Sequence, residues 1–328
     1  MAPIGTVVAP LFQLADFSPK AKIDFITLHL PADLKTGADA YRFTGTIRGR
    51  IEAPKRTSGQ WLTIHDPHRN DLQYLIDHYP DAEILMLEVA IDLFLKDGTN
   101  DPEQLQAAHR YLTINLFPQA HQRFAGRARR KIYTDNGQIR PDTMKTGSGG
   151  KSVYWVNANA WEQVRLYIKT LDNKRPIDRH SVRLEITFNR GGCQKAGINR
   201  VCLLPMFAKK ARRYLSPFFN VAMGIKPKIK RTRTKNPETA AKAAREAEKE
   251  QRRVLRSYNL YGAAWAGQKG YRVVPDKQFS IMTGKGLKGL RDQLMELKLP
   301  ENSAELVERW GPNSLMYRGV NDIVPWTL

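Results

Sequence analysis

The 328-residue chain has two cysteines, Cys193 and Cys202, no long apolar run, and a shortage of acid: 32 Asp+Glu stand against 53 Lys+Arg, a formal net charge of +21. Each shortage excludes something. Two cysteines cannot build a disulfide framework or a four-ligand zinc cage. No stretch approaches the ~18 apolar residues that a bilayer span needs. Met1–Leu14 lacks a basic region followed by an apolar one, so no secretory leader is expected. No G-x-x-x-x-G-K-[ST] loop is present; Gly284-Lys-Gly286 is too short and is followed by Leu287, which disfavours a helicase motor. No spaced Arg/His/Arg set supports a tyrosine recombinase or topoisomerase. A hydrophobic fraction of 41% suffices for a core, so global disorder is excluded. The expectation is a soluble, intracellular chain.

The positive charge is localised. Residues 209–256 carry +12 and residues 121–151 carry +6, leaving +3 for the remaining 249 residues. Clustered cations suit phosphate contacts, because each neutralised phosphate releases condensed counterions. A polyanion is the expected partner. Charge alone fits a non-catalytic DNA- or RNA-binding protein equally well.

Strands are expected at Lys22–Leu30, Trp61–His65, Ile84–Leu95, Val164–Lys169 and Ser181–Asn189, from their β-branched and aromatic content. Arg69–Tyr79 spaces Leu72, Leu75, Ile76 and Tyr79 as an amphipathic helix ending at Pro80. Pro102–Leu116 is expected to be helical, with proline in its first turn. The spacing also predicts helices at Met206–Asn220, Pro237–Ser257 and Leu287–Leu297. Gly191-Gly192 is read as closing the strand block, Thr146–Gly150 as a loop and Lys226–Lys235 as a basic linker. The fold class is α+β: a mainly antiparallel central sheet with helices packed on one face, plus a basic helical C-terminal region. The expected divisions are 1–195, a catalytic unit; 196–235, a basic helix and linker; and 236–328, an accessory region.

Three strands share one design. Leu87, Val89, Ile91 and Leu93 alternate with Glu88, Ala90 and Asp92. Val164, Leu166 and Ile168 alternate with Arg165, Tyr167 and Lys169, and Val182, Leu184 and Ile186 with Arg183, Glu185 and Thr187. Helices can cover the apolar faces while the charged faces form one working surface. If the last two strands pair antiparallel about residue 176, Tyr167 lies within a register step or so of Glu185. A phenol flanked by Arg165 and Lys169 and close to a carboxylate suits phosphodiester transesterification. Tyrosine oxygen attacks phosphorus, carboxylates hold a divalent cation and the cations neutralise developing charge. The bland alternatives are a packing tyrosine and a cross-strand Arg183–Glu185 pair. Glu88 and Asp92 lie about 13 Å apart along a strand, too far to bind one ion together directly; one is expected as a ligand and the other as a helper or a structural acid. His65-Asp66 reads as a strand-ending turn.

The blocks Leu87-Glu-Val-Ala-Ile-Asp92, Ser152-Val-Tyr-Trp-Val156, Val164-Arg-Leu-Tyr-Ile-Lys169 and Val182-Arg-Leu-Glu-Ile-Thr187 occur in that order. Over roughly residues 22–190 this resembles the replication initiation factor family, the rolling-circle initiators of small plasmids and filamentous phages. The resemblance implies a nicking and closing enzyme in a bacterial cytoplasm. In it, Tyr167 would be joined to the 5′ phosphate of cut origin DNA, and the freed 3′ hydroxyl would prime replication. It implies Mg2+ or Mn2+ held by Glu185 with one or both of Glu88 and Asp92, with Arg165, Lys169 and Arg183 around the tyrosine. Host helicase and polymerase would be partners, and a homodimer is left open. The first acid is Glu88 where many relatives have Asp, and Met86 replaces their usual Arg. The His-hydrophobic-His pair of the other large initiator class is absent.

Overall fold

The structure, a computed structural model, describes residues 13–30, 49–52, 60–116, 129–133, 139–140, 153–156, 162–172, 175–226, 237–299 and 305. The expected basic linker, the 146–150 loop and much of the 121–151 basic stretch lie outside these residues. The strands are β1 (Phe17–Leu30), β2 (Gly49–Glu52), β3 (Gln60–His65), β4 (Glu83–Leu95), β5 (Arg129–Tyr133), β6 (Ile139–Arg140), β7 (Val153–Val156), β8 (Glu162–Asp172), β9 (Arg175–Asn189), β10 (Ala222–Lys226) and β11 (Arg272–Pro275). The α-helices are α1 (Arg69–His78), α2 (Pro102–Asn115), α3 (Arg190–Ala196), α4 (Leu204–Leu215), α5 (Pro237–Gln268) and α6 (Lys277–Met295).

Nine strands form one sheet in the order β2-β3-β1-β4-β9-β8-β7-β5-β6, and every pairing in it is antiparallel. A small β10–β11 ladder stands apart. The α+β reading holds. The alternation in the central strands sorts their side chains as the sequence implies. Leu87, Val89, Ile91, Leu93, Val164, Leu166, Val182, Leu184 and Ile186 are all buried in one cluster with helical residues such as Leu75, Leu105, Phe207 and Leu290. Burial of each such side chain is worth about 1.5–3 kcal/mol, so the core welds the helices to this face. The core runs across positions 195 and 235, since Leu204, Phe279 and Leu294 belong to the same cluster as the strands.

Helix starts follow local chemistry. Asp101 caps α2 by accepting from the backbone N–H groups of Glu103 (2.9 Å) and Gln104 (3.5 Å), with proline in the first turn. Asp276 caps α6 through the Phe279 N–H at 3.0 Å. Three expectations are corrected. The strand block closes at Asn189, but Gly191-Gly192 form no loop there: they lie inside α3, which stops at Gly197 in the left-handed region (φ 66°). The helix expected at Leu287–Leu297 begins ten residues earlier, because Gly284 and Gly286 are contact points rather than breaks: Gly284 faces Arg212 of α4, and Gly286 faces Pro19 and Ala21 of β1. The solvated helix from Pro237 continues past Ser257, breaking at Gly262 (φ 80°). There it buries Val254, Tyr258, Ala263 and Ala266 against Ala222 and Ile225. Among the described residues no helix is long and apolar enough to cross a membrane.

Candidate active site

The charged faces of β1, β4, β9 and β8 lie side by side because those strands are neighbours in the sheet. Glu88 stands opposite Thr187, Ala90 opposite Glu185, and Asp92 opposite Arg183. In the β8–β9 hairpin, Arg165 stands opposite Glu185 and Tyr167 opposite Arg183, two residues from the alignment centred on residue 176. The ladder is irregular between Lys169 and Leu171, where the partners jump from Ser181 to Pro176, a shift of three residues. The diagonal is short: Tyr167 Oη donates to Glu185 Oε1 at 2.6 Å.

A third strand adds a residue that the sequence reading missed. Ile23 pairs with Val89 and Phe25 with Glu88, so Asp24 is the extra residue of a bulge in β1. The bulge delivers its carboxylate to the working face, where Arg183 Nη1 donates to Asp24 Oδ1 at 2.5 Å. Oxygens of Asp24, Glu88 and Glu185 all lie within 4.8 Å of one another. A signal was available in the sequence: Lys20, Lys22 and Asp24 alternate with Ala21 and Ile23, the same charged-apolar alternation as the other three strands.

Asp92 does not join that cluster. Its Oδ1 accepts from Arg183 Nε (2.7 Å) and Ser181 Oγ (2.7 Å), and its Oδ2 from Arg183 Nη2 (2.6 Å). Of the three expected ligands, the geometry brings Glu88 and Glu185 together and commits Asp92 to a guanidinium. Arg183 then reaches Asp24 and, at 3.5 Å, Glu185 Oε1. Arg165 lies over the Tyr167 ring, 4.1 Å from its centroid, with Nη1 3.4 Å from Glu185 Oε2. Lys169 is buried and pairs with Asp172 at 3.4 Å rather than with the acid cluster. Thr187 Oγ1 donates to Glu88. At the end of β3, Asp66 is in the left-handed region (φ 47°) and forms an ion pair with Lys22, which also lies 3.5 Å from Asp24. The expected turn is there, one ion pair away from the cluster. Two further tyrosines are placed by register alone: Tyr154 opposite Arg165 and Tyr133 opposite Ile139.

Burial and like charge dominate the electrostatics. Desolvation, followed by the neighbouring Glu185, pushes the Glu88 carboxyl up to about 8. Burial also raises Glu185, against the pull of Arg165 and the Tyr167 hydroxyl. Asp24 goes the other way: burial opposes its charge, but Arg183, Lys22 and Lys169 together hold it below the usual carboxylate range. Tyr167 is raised above the ordinary phenol range by burial and then by Glu185, so its hydroxyl is protonated at rest.

The donor set fits a hard divalent cation. It is all oxygen, drawn from three strands of a rigid sheet, and two of its three carboxyls are driven toward the neutral form when no cation compensates them. Glu185 Oε2 is buried and accepts no hydrogen bond among the described residues.

No family model matches the chain, and no curated protein matches it. Among solved structures, the chain is similar to the rolling circle replication initiator protein from Geobacillus stearothermophilus, at 12% identity and a TM-score of 0.40. That match covers 86% of this chain and 100% of the other.

Proposed function

We propose that the protein nicks and rejoins DNA at a replication origin through a 5′-phosphotyrosine intermediate at Tyr167, as an initiator of rolling-circle replication. The observation that carries this reading is the 2.6 Å hydrogen bond from the Tyr167 hydroxyl to Glu185, beside a cluster of three converging carboxylates. A packing tyrosine needs a hydrogen-bond partner at most. It does not need a cluster of mutually repelling acids.

Asp24, Glu88 and Glu185 would hold Mg2+ or Mn2+, whose chemistry there is to polarise a non-bridging phosphate oxygen. The protein's own groups account for the rest. Glu185 Oε1 takes the phenol proton as Tyr167 Oη forms its bond to phosphorus. The bond from phosphorus to the 3′ oxygen breaks, that oxygen takes up a proton, and it leaves as a 3′ hydroxyl able to prime a polymerase. Arg165, on the tyrosine ring and partly exposed, neutralises charge on the phosphate. Arg183, anchored by Asp92, keeps Asp24 and Glu185 in place. Reversal of the same steps closes the strand. Strand separation would come from a host motor.

The test uses supercoiled DNA of the protein's own replicon with Mg2+ or Mn2+. Wild type should yield open circles carrying covalently bound protein; Tyr167→Phe should yield none while still binding. Nicking by Tyr167→Phe at the wild-type rate would overturn the assignment, and DNA left supercoiled by wild type would favour a pure DNA-binding protein.

A further inference from the structure

The working face continues beyond Arg183 and Asp92. Lys20 stands opposite Asp92 and Ser18 opposite Phe94, so both extend the charged face of β1 past the acid cluster. There the sheet carries an open groove of about 450 Å3, lined by Ser18, Lys20, Phe94, Ile177, Asp178 and Arg179. The volume is in the range of small-molecule sites.

The groove is built rather than incidental. Arg179 lies over the Phe94 ring with Cζ 4.8 Å from the centroid, and Nη2 donates to the Leu95 carbonyl at 2.8 Å, which fixes the guanidinium plane. The flanking backbone is tied down by Asn100: its Nδ2 donates to the Asp178 carbonyl at 2.8 Å, and its Oδ1 accepts from the His180 N–H at 2.7 Å. Arg179 and Lys20 are exposed, and Phe94 is half-buried. A pinned guanidinium on an aromatic ring, with a lysine and a serine hydroxyl beside it, is the chemistry that stacks a nucleobase and holds its phosphate. The groove also lies on the same sheet face as the candidate nucleophile. Six strand residues separate Glu88 from Phe94, or about 20 Å, which is about six nucleotides at stacked spacing and fewer when extended.

The geometry points to a subsite for single-stranded DNA in this groove, in which one base stacks on the Arg179 guanidinium backed by the Phe94 ring and Lys20 contacts its phosphate, a few nucleotides from the bond cut at Tyr167. The inference rests on the nicking reading for its substrate class. Its occupant is one strand, because a duplex keeps its bases stacked on each other and offers no free base face to the platform.

Fluorescence anisotropy with a labelled twelve-residue oligothymidylate tests the subsite, using the full chain carrying Tyr167→Phe so that only binding is read. Phe94→Leu and Arg179→Lys preserve apolar bulk and charge respectively, and remove the stack. Each should weaken binding at least about fivefold, the lower bound for loss of one base–aromatic stack, with an unchanged salt slope. Lys20→Ala should lower the salt slope by about one. Thermal melts of each variant should match the parent. Parent-like affinity in both stacking variants would overturn the subsite. So would a loss matched by a duplex of the same length, or a loss that disappears at high salt. If these variants lose single-strand binding while wild type fails to nick its own replicon, the subsite stands and the nicking reading falls; the reverse pattern removes the subsite alone.

Discussion

Arg183 and Asp92 form a two-pronged ion pair across β9 and β4, with Nε donating to Oδ1 at 2.7 Å and Nη2 to Oδ2 at 2.6 Å, and both side chains buried. Arg183 has two more acid neighbours, Asp24 and Glu185, so this pair fixes the cation around which the acid cluster is arranged. A buried pair broken on one side leaves an uncompensated charge, at a cost of about 3–5 kcal/mol. Asp92→Ala should lower stability by that amount in urea denaturation. The milder Asp92→Asn, which keeps the shape but presents an amide N–H to the guanidinium, should lose less stability while nicking falls about tenfold or more. A stability loss below about 1 kcal/mol for Asp92→Ala would mean that Arg183 is held by its other partners.

A second prediction separates Asp24 from Asp92 as cation ligands. Asp24→Asn and Glu88→Gln each remove a carboxylate from the three-acid cluster. Both should weaken Mn2+ binding at least about tenfold by isothermal titration calorimetry, in line with the loss of a directly coordinating group. Asp92→Asn should leave Mn2+ affinity within a few-fold of wild type, since its oxygens point to Arg183 and Ser181. The opposite ranking would return Asp92 to the ligand set.

Much of the site was legible because strands obey a strict period of two. Glu88, Arg165, Tyr167, Arg183 and Glu185 could be assigned to one face from their spacing, and the hairpin from its length. What spacing cannot show is a bulge. The bulge after Ile23 leaves Asp24 out of the ladder and puts Phe25 opposite Glu88, and the irregularity between Lys169 and Leu171 shifts the hairpin register by three residues. The roles of Glu88 and Asp92 stayed open for a different reason: acid-x-x-x-acid spacing does not say which acid an arginine on the neighbouring strand will claim. The helices were harder where glycine served packing. Gly284 and Gly286 fell outside the helix expected at Leu287–Leu297, yet they let α6 approach Arg212 and β1.

That close approach gives a paired test in α6. A Cβ at Gly286 would meet Pro19 Cβ at 3.2 Å and the Ala21 backbone nitrogen at 3.6 Å, against a strand ring that has little room to yield. A Cβ at Gly289 would meet nothing within 4 Å. Replacing glycine by alanine in a helix gains about 1 kcal/mol of propensity when nothing clashes. Gly289→Ala should therefore raise the melting temperature, and Gly286→Ala should fall clearly below it. Equal gains at both positions would mean that α6 shifts freely on the sheet.

The last prediction concerns pH and follows from Glu88. Its carboxyl is raised from 4.5 to about 8 by burial and by Glu185. Between those values the cation-free folded protein holds a proton that the unfolded chain releases, so the folded state binds more protons and stability must fall as pH rises. The contribution is fully present below about 4.5 and is lost as pH passes about 8, with a slope of at most about 1.4 kcal/mol per pH unit for one proton. Glu88→Gln, neutral throughout, should flatten that part of the stability profile measured in EDTA. Cation binding needs the ionised carboxylate, so it runs against the same proton. Mn2+ affinity should rise steeply from about pH 6 to pH 8, and calorimetry in buffers of different ionisation enthalpy should show protons released on binding. Saturating Mn2+ should also remove the fall in stability, because a bound cation neutralises the repulsion that raises the carboxyl. Mn2+ affinity that stays flat over this range with no proton release would show that Glu88 is already ionised in the folded protein, and that Arg183 and Arg165, rather than a cation, balance the cluster.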